Sequence, residues 1–300
     1  MKKLTKYFVH ALFALFLLTL LLPDRVSKES AWQHALCFAA ILEALAIVFR
    51  KRRALTDIVT VVFVLLIAWT LATAKFNLLR EFLFPPPGRV FRQFMLDYKD
   101  LLRHIASSLG LVFNGYALGL IFAIPLGLLI GYSARMGETA THISKFLASI
   151  PPIVYIPYGV ALLPTFRSVS VMVIFLATFW PVLSGTVAGV MYTERKYIDA
   201  ARILGCSRAR ILLRVILPGA LAQIFTGCNQ GLAVSFILLT SAEMIGARSG
   251  MGYYVNYFSD LGDYTRTLTG VILIGVVISV VFFAFSKLQK RLLRWRGQEF

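Results

Sequence analysis

Eight long apolar segments limit what this chain can fold into. Each is close to or above the length that a helix needs to cross a hydrocarbon core of about 30 Å. Hydrophobic residues make up 58% of the 300-residue chain and charged residues only 15%, which excludes an ordinary soluble domain. The predicted fold is therefore an all-α polytopic membrane protein. Its transmembrane helices are predicted at about 7–22, 31–49, 57–74, 105–132, 146–163, 169–192, 216–240 and 267–286.

Basic residues cluster beside the ends of these segments. Lys and Arg outnumber Asp and Glu by 31 to 14, and the formal net charge is +17. That charge would suggest nucleic acid in a soluble protein, but its placement indicates membrane orientation instead, so no nucleic-acid partner is expected. An N-terminus inside the cell puts most basic groups in the cytoplasm, at 2–6, 50–53, 195–214 and 287–296. Both termini are therefore predicted to be cytoplasmic.

The N-terminal part differs in character from the rest. Residues 1–22 combine bases with an apolar run, as a signal peptide does, but no small-residue cleavage site precedes Pro23. We interpret this segment as a retained membrane anchor. Residues 89–98 place apolar side chains at helical spacing beside a charged face. This pattern predicts a helix lying along the outer membrane surface or, equally well, a solvated helical linker.

Small residues recur at every fourth position from residue 115. Gly115, Gly119, Ala123, Gly127 and Gly131 would let another helix approach closely within lipid. The first two spans have no glycine at this spacing. We predict extra N-terminal transmembrane helices over 1–56, a span with an external amphipathic segment over 57–104, a packed core over 105–286 that includes a cytoplasmic loop at 194–218, and a basic cytoplasmic tail over 287–300.

Four prolines interrupt the predicted fifth span, at Pro151, Pro152, Pro157 and Pro164. Proline lacks an amide hydrogen, and backbone groups freed inside a bilayer must be satisfied by protein or water. The pattern predicts a broken span that lines a cavity. A kinked helix that only packs against its neighbours is the alternative.

The stretch IDAARILGCSRARILLRVILP, residues 198–218, interrupts the apolar pattern with four arginines. Residues 195–204 can form a short helix, Gly205 suits a left-handed helix end, and Ser207 can cap a second helix that lasts until Pro218. These signals predict a helix–turn–helix element at the cytoplasmic surface. An amphipathic loop that binds anionic membrane lipid would show a similar pattern.

The same stretch resembles the cytoplasmic loop of the permease subunits of binding-protein-dependent ABC importers. That family carries EAA, three residues, G, nine residues, I, one residue, L and P. The corresponding residues here are Asp199, Ala200, Ala201, Gly205, Val215, Leu217 and Pro218. Asp replaces Glu, and Val replaces Ile. Other segments between about 85 and 296, among them SAEMIGARSGMGYYV, are similar to the nitrate/sulfonate/taurine/bicarbonate branch, whereas residues 1 to about 56 show no resemblance.

The resemblance implies the permease core of a type I ABC importer in the bacterial inner membrane. The loop would then couple the spans to ATP-binding subunits through Asp199, Ala200, Ala201, Gly205, Ser207, Leu217 and Pro218. The other implied partners are an extracytoplasmic solute-binding protein and a second permease chain, most simply an identical one. The chain has no GxxxxGK(S/T) phosphate loop, so ATP and Mg are expected on the partner subunit, and no cofactor, metal site or catalytic residue is expected here.

Polar residues in two spans are candidates for the translocation path. Thr226, Asn229, Gln230 and Thr240 lie in the predicted seventh span, and Asn114 in the fourth is a weaker candidate. Polar side chains at membrane depth are costly unless they are paired or face water. Hydrogen bonds between helices are therefore the alternative. The branch that the chain resembles implies a small anion or organic acid as cargo.

Glu243 lies near the predicted outer end of the seventh span and matches an acidic residue of the family pattern. This implies a part in an outer gate. A carboxylate that is simply solvated, or bonded to amides of the 246–252 loop, fits the sequence equally well.

Two other classes of function fit less well. A self-contained secondary transporter or channel would ordinarily need ionisable residues within its spans, and spans four to eight nearly lack them. A membrane-embedded enzyme would need clustered ligands or acid–base groups. The histidines and cysteines show no such spacing, at His10, His34, His104, His142, Cys37, Cys206 and Cys228.

Overall fold

The computed structural model describes residues 4–25, 30–48 and 53–296, and within those ranges it contains helices and no strand. Bases predicted to mark the cytoplasmic side at 2–3 and 50–52, and the tail end at 297–300, lie outside the described residues. The helices are α1 Leu4–Leu21, α2 Trp32–Val48, α3 Arg53–Thr70, α4 Pro87–Leu96, α5 Tyr98–Gly131, α6 Ala134–Ala148, α7 Ile156–Leu162, α8 Phe166–Met191, α9 Arg195–Ile203, α10 Arg208–Ile211, α11 Leu217–Gly246, α12 Met251–Asp260 and α13 Tyr264–Leu292.

All eight predicted spans fall on helices, but they differ in length. Five stretches are long and apolar enough to cross a membrane: Leu55–Lys75, Tyr98–Gly131, Phe166–Met191, Arg208–Gly246 and Tyr264–Leu292. The pair α6 and α7 makes a sixth candidate. The apolar parts of α1 and α2 are shorter, so the described residues hold five or six spans by length and composition, rather than eight.

The predicted fifth span is broken, as its prolines indicated. Ala134–Ala148 and Pro152–Leu162 pass the length test together but bend by 74°. The 3₁₀ turn Pro152–Tyr155 lies at the break, where Pro152 restricts the preceding residue to extended conformations. The span begins at residue 134 rather than 146, because Glu138 and Lys145 lower the hydropathy of α6 without preventing a helix.

The chain divides into two compact units, Met1–Leu102 with Val255–Ile272, and Arg103–Tyr254 with Leu273–Phe300. In the first unit, α1 to α4 share an apolar core that includes Phe16, Ala39 and Phe63. Lys75, only 4% exposed, pairs with Asp24 at 2.7 Å and donates to backbone carbonyls at the end of α1. A buried lysine thus links the π-helical turn Leu71–Lys75, which follows α3, to the end of α1.

In the second unit, α8 lies between α5 and α11. A Cβ added at Gly115, Gly119, Gly127 or Gly131 of α5 would come within 2.6–2.8 Å of side chains on α8. The close helix approach predicted from the glycine spacing is therefore confirmed. On the opposite side, a Cβ at Gly185 would come within 2.8 Å of a backbone oxygen of α11. Replacing these glycines would force the helices apart.

Candidate coupling surface and translocation face

The turn after α9 has the predicted geometry. Gly205 has a φ of +68°, in the left-handed region, and the amide of Cys206 bonds to the carbonyl of Ala201 at 3.1 Å. The predicted short helix is confirmed, because α9 runs from Arg195 to Ile203. A Cβ added at Gly205 would meet nothing within 4 Å. The turn therefore requires glycine for its backbone conformation and not for space.

The second helix of this element departs from the prediction in two ways. Ser207 occupies the cap position, but its side chain makes no capping hydrogen bond. The helix also continues past Pro218, and Arg208–Gly246 forms one helical stretch of 39 residues. A π-helical turn, Leu212–Ile216, precedes Pro218. Pro218 is the second residue of α11, so its missing amide hydrogen falls just after this turn, where the α-helical bonding pattern is already interrupted.

The exposed surface of α9 does not include all of the predicted coupling residues. Ala201 is buried and belongs to the apolar cluster that contains Ile211 and Ile216, so it cannot form an outer docking surface with Ala200 and Gly205. Ile203 and Leu204 are instead exposed, by 86% and 80% of their surfaces. Large apolar side chains at such exposure, directly before the turn glycine, indicate a surface that a partner covers.

Charged side chains flank the turn after α9. Asp199 pairs with Arg202 at 3.1 Å, and both are more than half exposed. Tyr132, which directly follows α5, lies close to Arg202 and raises the pKa of its guanidinium, with a smaller contribution from Asp199. An open cleft of about 470 Å³ separates α9 from the start of α6, with Glu138 and Arg195 in its lining. Exposed pairs of this kind contribute little to stability, so the charges remain available to a partner.

Polar side chains form an exposed face on α11. Thr226, Asn229 and Gln230 are exposed, and Thr240 is half-buried, while the opposite side of the helix packs on α8. The hydroxyls of Thr226 and Thr240 bond to carbonyls of their own helix. Within the described residues, no hydrogen bond joins Asn229 or Gln230 to another helix. The face thus lacks the interhelical bonds that were the alternative interpretation.

Asn114 does not share this face. It is exposed and lines an open groove between α5 and α8, together with Arg167. The structure therefore places four of the five path candidates along α11 and the fifth on a different flank of the unit.

Glu243 is buried, with 1% of its surface exposed, so a solvated carboxylate is wrong. It accepts hydrogen bonds from the hydroxyl of Ser108 on α5 at 2.6 Å and from the amide of Gly252 at 2.8 Å. Of the interpretations left open by the sequence, bonding to loop amides is the one that the geometry supports. The carboxylate therefore ties α11 to α5 and to the start of α12.

The loop around Gly250 closes over this carboxylate. Gly250 has a φ of +131°, and a Cβ there would overlap the carboxylate of Glu243. Its amide donates to Nδ1 of His104 at 3.0 Å, and the amide of Met251 donates to Ser108 at 2.8 Å. Side chains of α5 and α11 thus bind three consecutive backbone amides, at residues 250–252, where α12 begins.

Residues 119–296 match the family described as binding-protein-dependent transport system inner membrane component. The chain belongs to this family. It is a multi-pass membrane protein and the permease component of a binding-protein-dependent ABC importer. As a transport subunit it has a non-catalytic role.

Curated relatives of the permease cover much of its length. It is 31% identical over 255 residues to the taurine transport system permease protein TauC of Escherichia coli, which is 83% of this chain and 92% of that protein. It is 29% identical to the bicarbonate transport system permease protein CmpB of Synechococcus elongatus, over 65% of this chain and 71% of that one. The nitrate import permease protein NrtB of Leptolyngbya laminosa is 31% identical over 60% of this chain.

A solved structure shares the fold of the permease. A chain of the MetNI methionine ABC transporter, in an inward-facing conformation, superposes with a TM-score of 0.56 at 18% identity. The match covers 97% of that chain but 65% of this one. About a third of this permease therefore lies outside the shared fold.

Several residues at these sites were not evident from the sequence. Ile203 and Leu204 continue the apolar spacing of α9, and only the structure shows that both side chains are exposed at the turn. Ser108 and Glu243 are 135 residues apart in sequence, and no local pattern connects them. Within the described ranges, no three His, Cys, Asp or Glu side chains are placed to hold a metal ion.

Proposed function

We propose that this permease forms the translocation path for a small anion or organic acid of the nitrate, sulfonate, taurine or bicarbonate type. An extracytoplasmic binding protein delivers the solute, and a separate ATP-binding subunit supplies the energy. The relatives support the solute class, since they are named for the transport of taurine, nitrate and bicarbonate. The binding protein sets the choice among these solutes.

The exposed turn after α9 is the observation that carries this proposal. Ile203 and Leu204 insert into a groove of the ATP-binding subunit, and the exposed Asp199 and Arg202 meet charges at its edge. ATP and Mg bind to that subunit. The permease contributes the residues that receive the movement.

Movement of α9 passes to the spans by two routes. The inner side of the element is anchored by Ala201, which belongs to one apolar cluster with Val187 and Val190 of α8. The segment that follows the α9 turn is a single helical stretch, Arg208–Gly246, and it carries the polar face. Because packed interiors transmit displacement, closure of the ATP-binding subunits shifts α8 and α11 together.

A second permease chain completes the path. The polar face of α11 (Thr226, Asn229, Gln230 and Thr240) needs water or a partner at membrane depth. Two identical copies related by a two-fold axis would enclose water between these faces, and Asn114 would lie outside that path. Glu243 holds the extracytoplasmic end of α11, so it supports the outer gate from behind and does not contact solute.

The orientation in the membrane follows from the same arrangement. The α9 turn lies in the cytoplasm to reach the ATP-binding subunit, and both termini lie on that side of the bacterial inner membrane. Cysteines introduced at Ala200 and at Asn256 in a chain without native cysteines test this with an impermeant thiol reagent. We expect labelling at position 256 in intact cells, and at position 200 only after permeabilisation. The reverse pattern would contradict the orientation.

Reconstitution tests the function directly. Proteoliposomes containing the chain, its ATP-binding subunit and its binding protein are expected to accumulate taurine, nitrate or bicarbonate only when ATP is supplied. Omission of the ATP-binding subunit is expected to abolish uptake. Uptake by the chain alone would support a self-contained transporter and overturn the proposal.

A further inference from the structure

The groove between α5 and α8 has polar residues at one end and apolar residues along its length. It has a volume of about 810 Å³. Thr165, Arg167 and Ser168 lie at the start of α8, whereas Asn114 of α5 lies further along the groove, next to Gly115, which faces Val171 and Ile174. The rest of the lining is apolar, with Ala117, Leu118, Ile121, Phe122, Leu163, Val171, Met172 and Phe175. Phe122 and Ile121 are 57% and 62% exposed, so this lining has no protein cover among the described residues.

Arg167 supplies a positive charge at the polar end. Its guanidinium extends toward α5 at Gly110, where an added Cβ would lie 3.9 Å from Nη2. In the part of the chain that the structure describes, no carboxylate pairs with Arg167 and no hydrogen bond engages it. Thr165 and Ser168 lie beside it, and their hydroxyls are 2.8 Å apart. The polar end therefore offers an unpaired cation and two hydroxyls.

The length of the apolar lining fits one leaflet of a bilayer. Phe175 follows Arg167 by eight residues, which corresponds to about 12 Å along a helix. One leaflet contributes about half of a hydrocarbon core of about 30 Å. A charged group at the level of Arg167 and an alkyl chain reaching Phe175 would therefore stay within one leaflet.

We propose that this groove binds an anionic phospholipid, with its phosphate at Arg167 and one acyl chain along the apolar lining. A small free anion would gain nothing from the aromatic and aliphatic side chains that form most of the groove. The anionic lipid satisfies both the charge and the apolar surface. The inference goes beyond the transport function and does not depend on the solute.

Lipid competition in nanodiscs tests the proposal. The full-length chain with its ATP-binding subunit is placed in nanodiscs of equal phosphatidylglycerol and phosphatidylcholine, and lipids retained on release are counted by native mass spectrometry. One basic residue near a membrane surface changes attraction to anionic lipid by about fivefold. We expect the wild type to retain phosphatidylglycerol about fivefold over phosphatidylcholine, and Arg167→Gln to lose this preference.

Matched variants distinguish lipid binding in the groove from attraction of lipid by surface charge elsewhere. Arg167→Lys keeps the charge and is expected to keep the preference. Arg248→Gln removes an exposed arginine outside the groove and is also expected to keep it. Ala117→Phe fills the apolar lining and is expected to reduce retention of either lipid. Unchanged retention in Arg167→Gln or in Ala117→Phe would overturn the proposal.

Two further outcomes would overturn it by identifying another occupant. Displacement of retained phosphatidylglycerol by millimolar taurine or nitrate would assign the groove to a free anion. Disulfide formation between two copies carrying Leu118→Cys, in a chain without its native cysteines, would assign it to a second permease chain.

Discussion

Gly205 offers the most direct test of coupling, because a larger residue there would strain the backbone without clashing with a neighbour. A β-branched side chain at a φ of +68° costs about 1–2 kcal/mol, although space for it exists. We expect Gly205→Val to lower transport per ATP hydrolysed about tenfold while membrane insertion and basal ATP hydrolysis persist. The measurement is solute uptake and phosphate release in the same proteoliposomes. Gly205→Asn is the control, since asparagine tolerates this conformation, and equal transport in the two variants would contradict this role.

Glu243 is the second residue whose contacts predict a measurable effect. Glu243→Leu leaves the hydroxyl of Ser108 and the amide of Gly252 without their acceptor, at about 1–3 kcal/mol for each buried group. We expect a lower unfolding temperature in detergent for Glu243→Leu and a smaller decrease for Glu243→Gln, which keeps one acceptor oxygen. Met244→Gln, at an exposed neighbouring position, is the control. A Glu243→Leu protein as stable as the wild type would show that these bonds do not hold the loop.

The packing of α5 on α8 depends on the glycines of α5, and a substitution at one of them tests this contact alone. A Cβ at Gly119 would lie 2.6 Å from the side chain of Thr178 on α8, whereas one at Gly275 on α13 would meet nothing within 4 Å. Overpacking of this kind costs about 1–3 kcal/mol. We expect Gly119→Ala to lower the unfolding temperature and the yield of folded protein, and Gly275→Ala to change neither. Equal stability of the two variants would mean that α5 and α8 do not approach as closely as described.

Local sequence patterns predict the elements better than they predict the contacts between them. The four-residue glycine spacing in α5, the prolines of the broken span and Gly205 each act through backbone geometry, so each was readable from the sequence. Pro218 was misread because a π-helical turn ahead of it lets one helix continue. The burial of Ala201 was not predicted, because spacing alone does not say which side of a short helix faces the core. The Ser108–Glu243 bond and the position of Arg167 depend on distant segments meeting.

At the scale of the whole molecule, the described N-terminal helices form a packed group fastened by Lys75. The hydrogen-bond partners of its ammonium group in the described part of the chain are Asp24 and the carbonyls of Leu20 and Leu22, all within the first 52 residues. The family match begins only at residue 119. Removal of residues 1–52 would thus leave the ammonium group of Lys75, at the end of an apolar span, without its acid and without its carbonyl acceptors.

The effect of the N-terminal helices on stability can be separated from any effect on transport. We expect the chain lacking residues 1–52 to lose yield and thermal stability, and Lys75→Leu in the truncated chain to restore much of both, because leucine needs no partner in an apolar surrounding. The restored chain is expected to retain ATP-driven uptake, since the α9 turn, the polar face of α11 and the Glu243 contacts all belong to the other unit. Lys75→Leu in the full-length chain is the control, and it leaves Asp24 29% exposed and able to meet water. A restored, well-folded chain without uptake would instead assign α1 and α2 a direct part in transport.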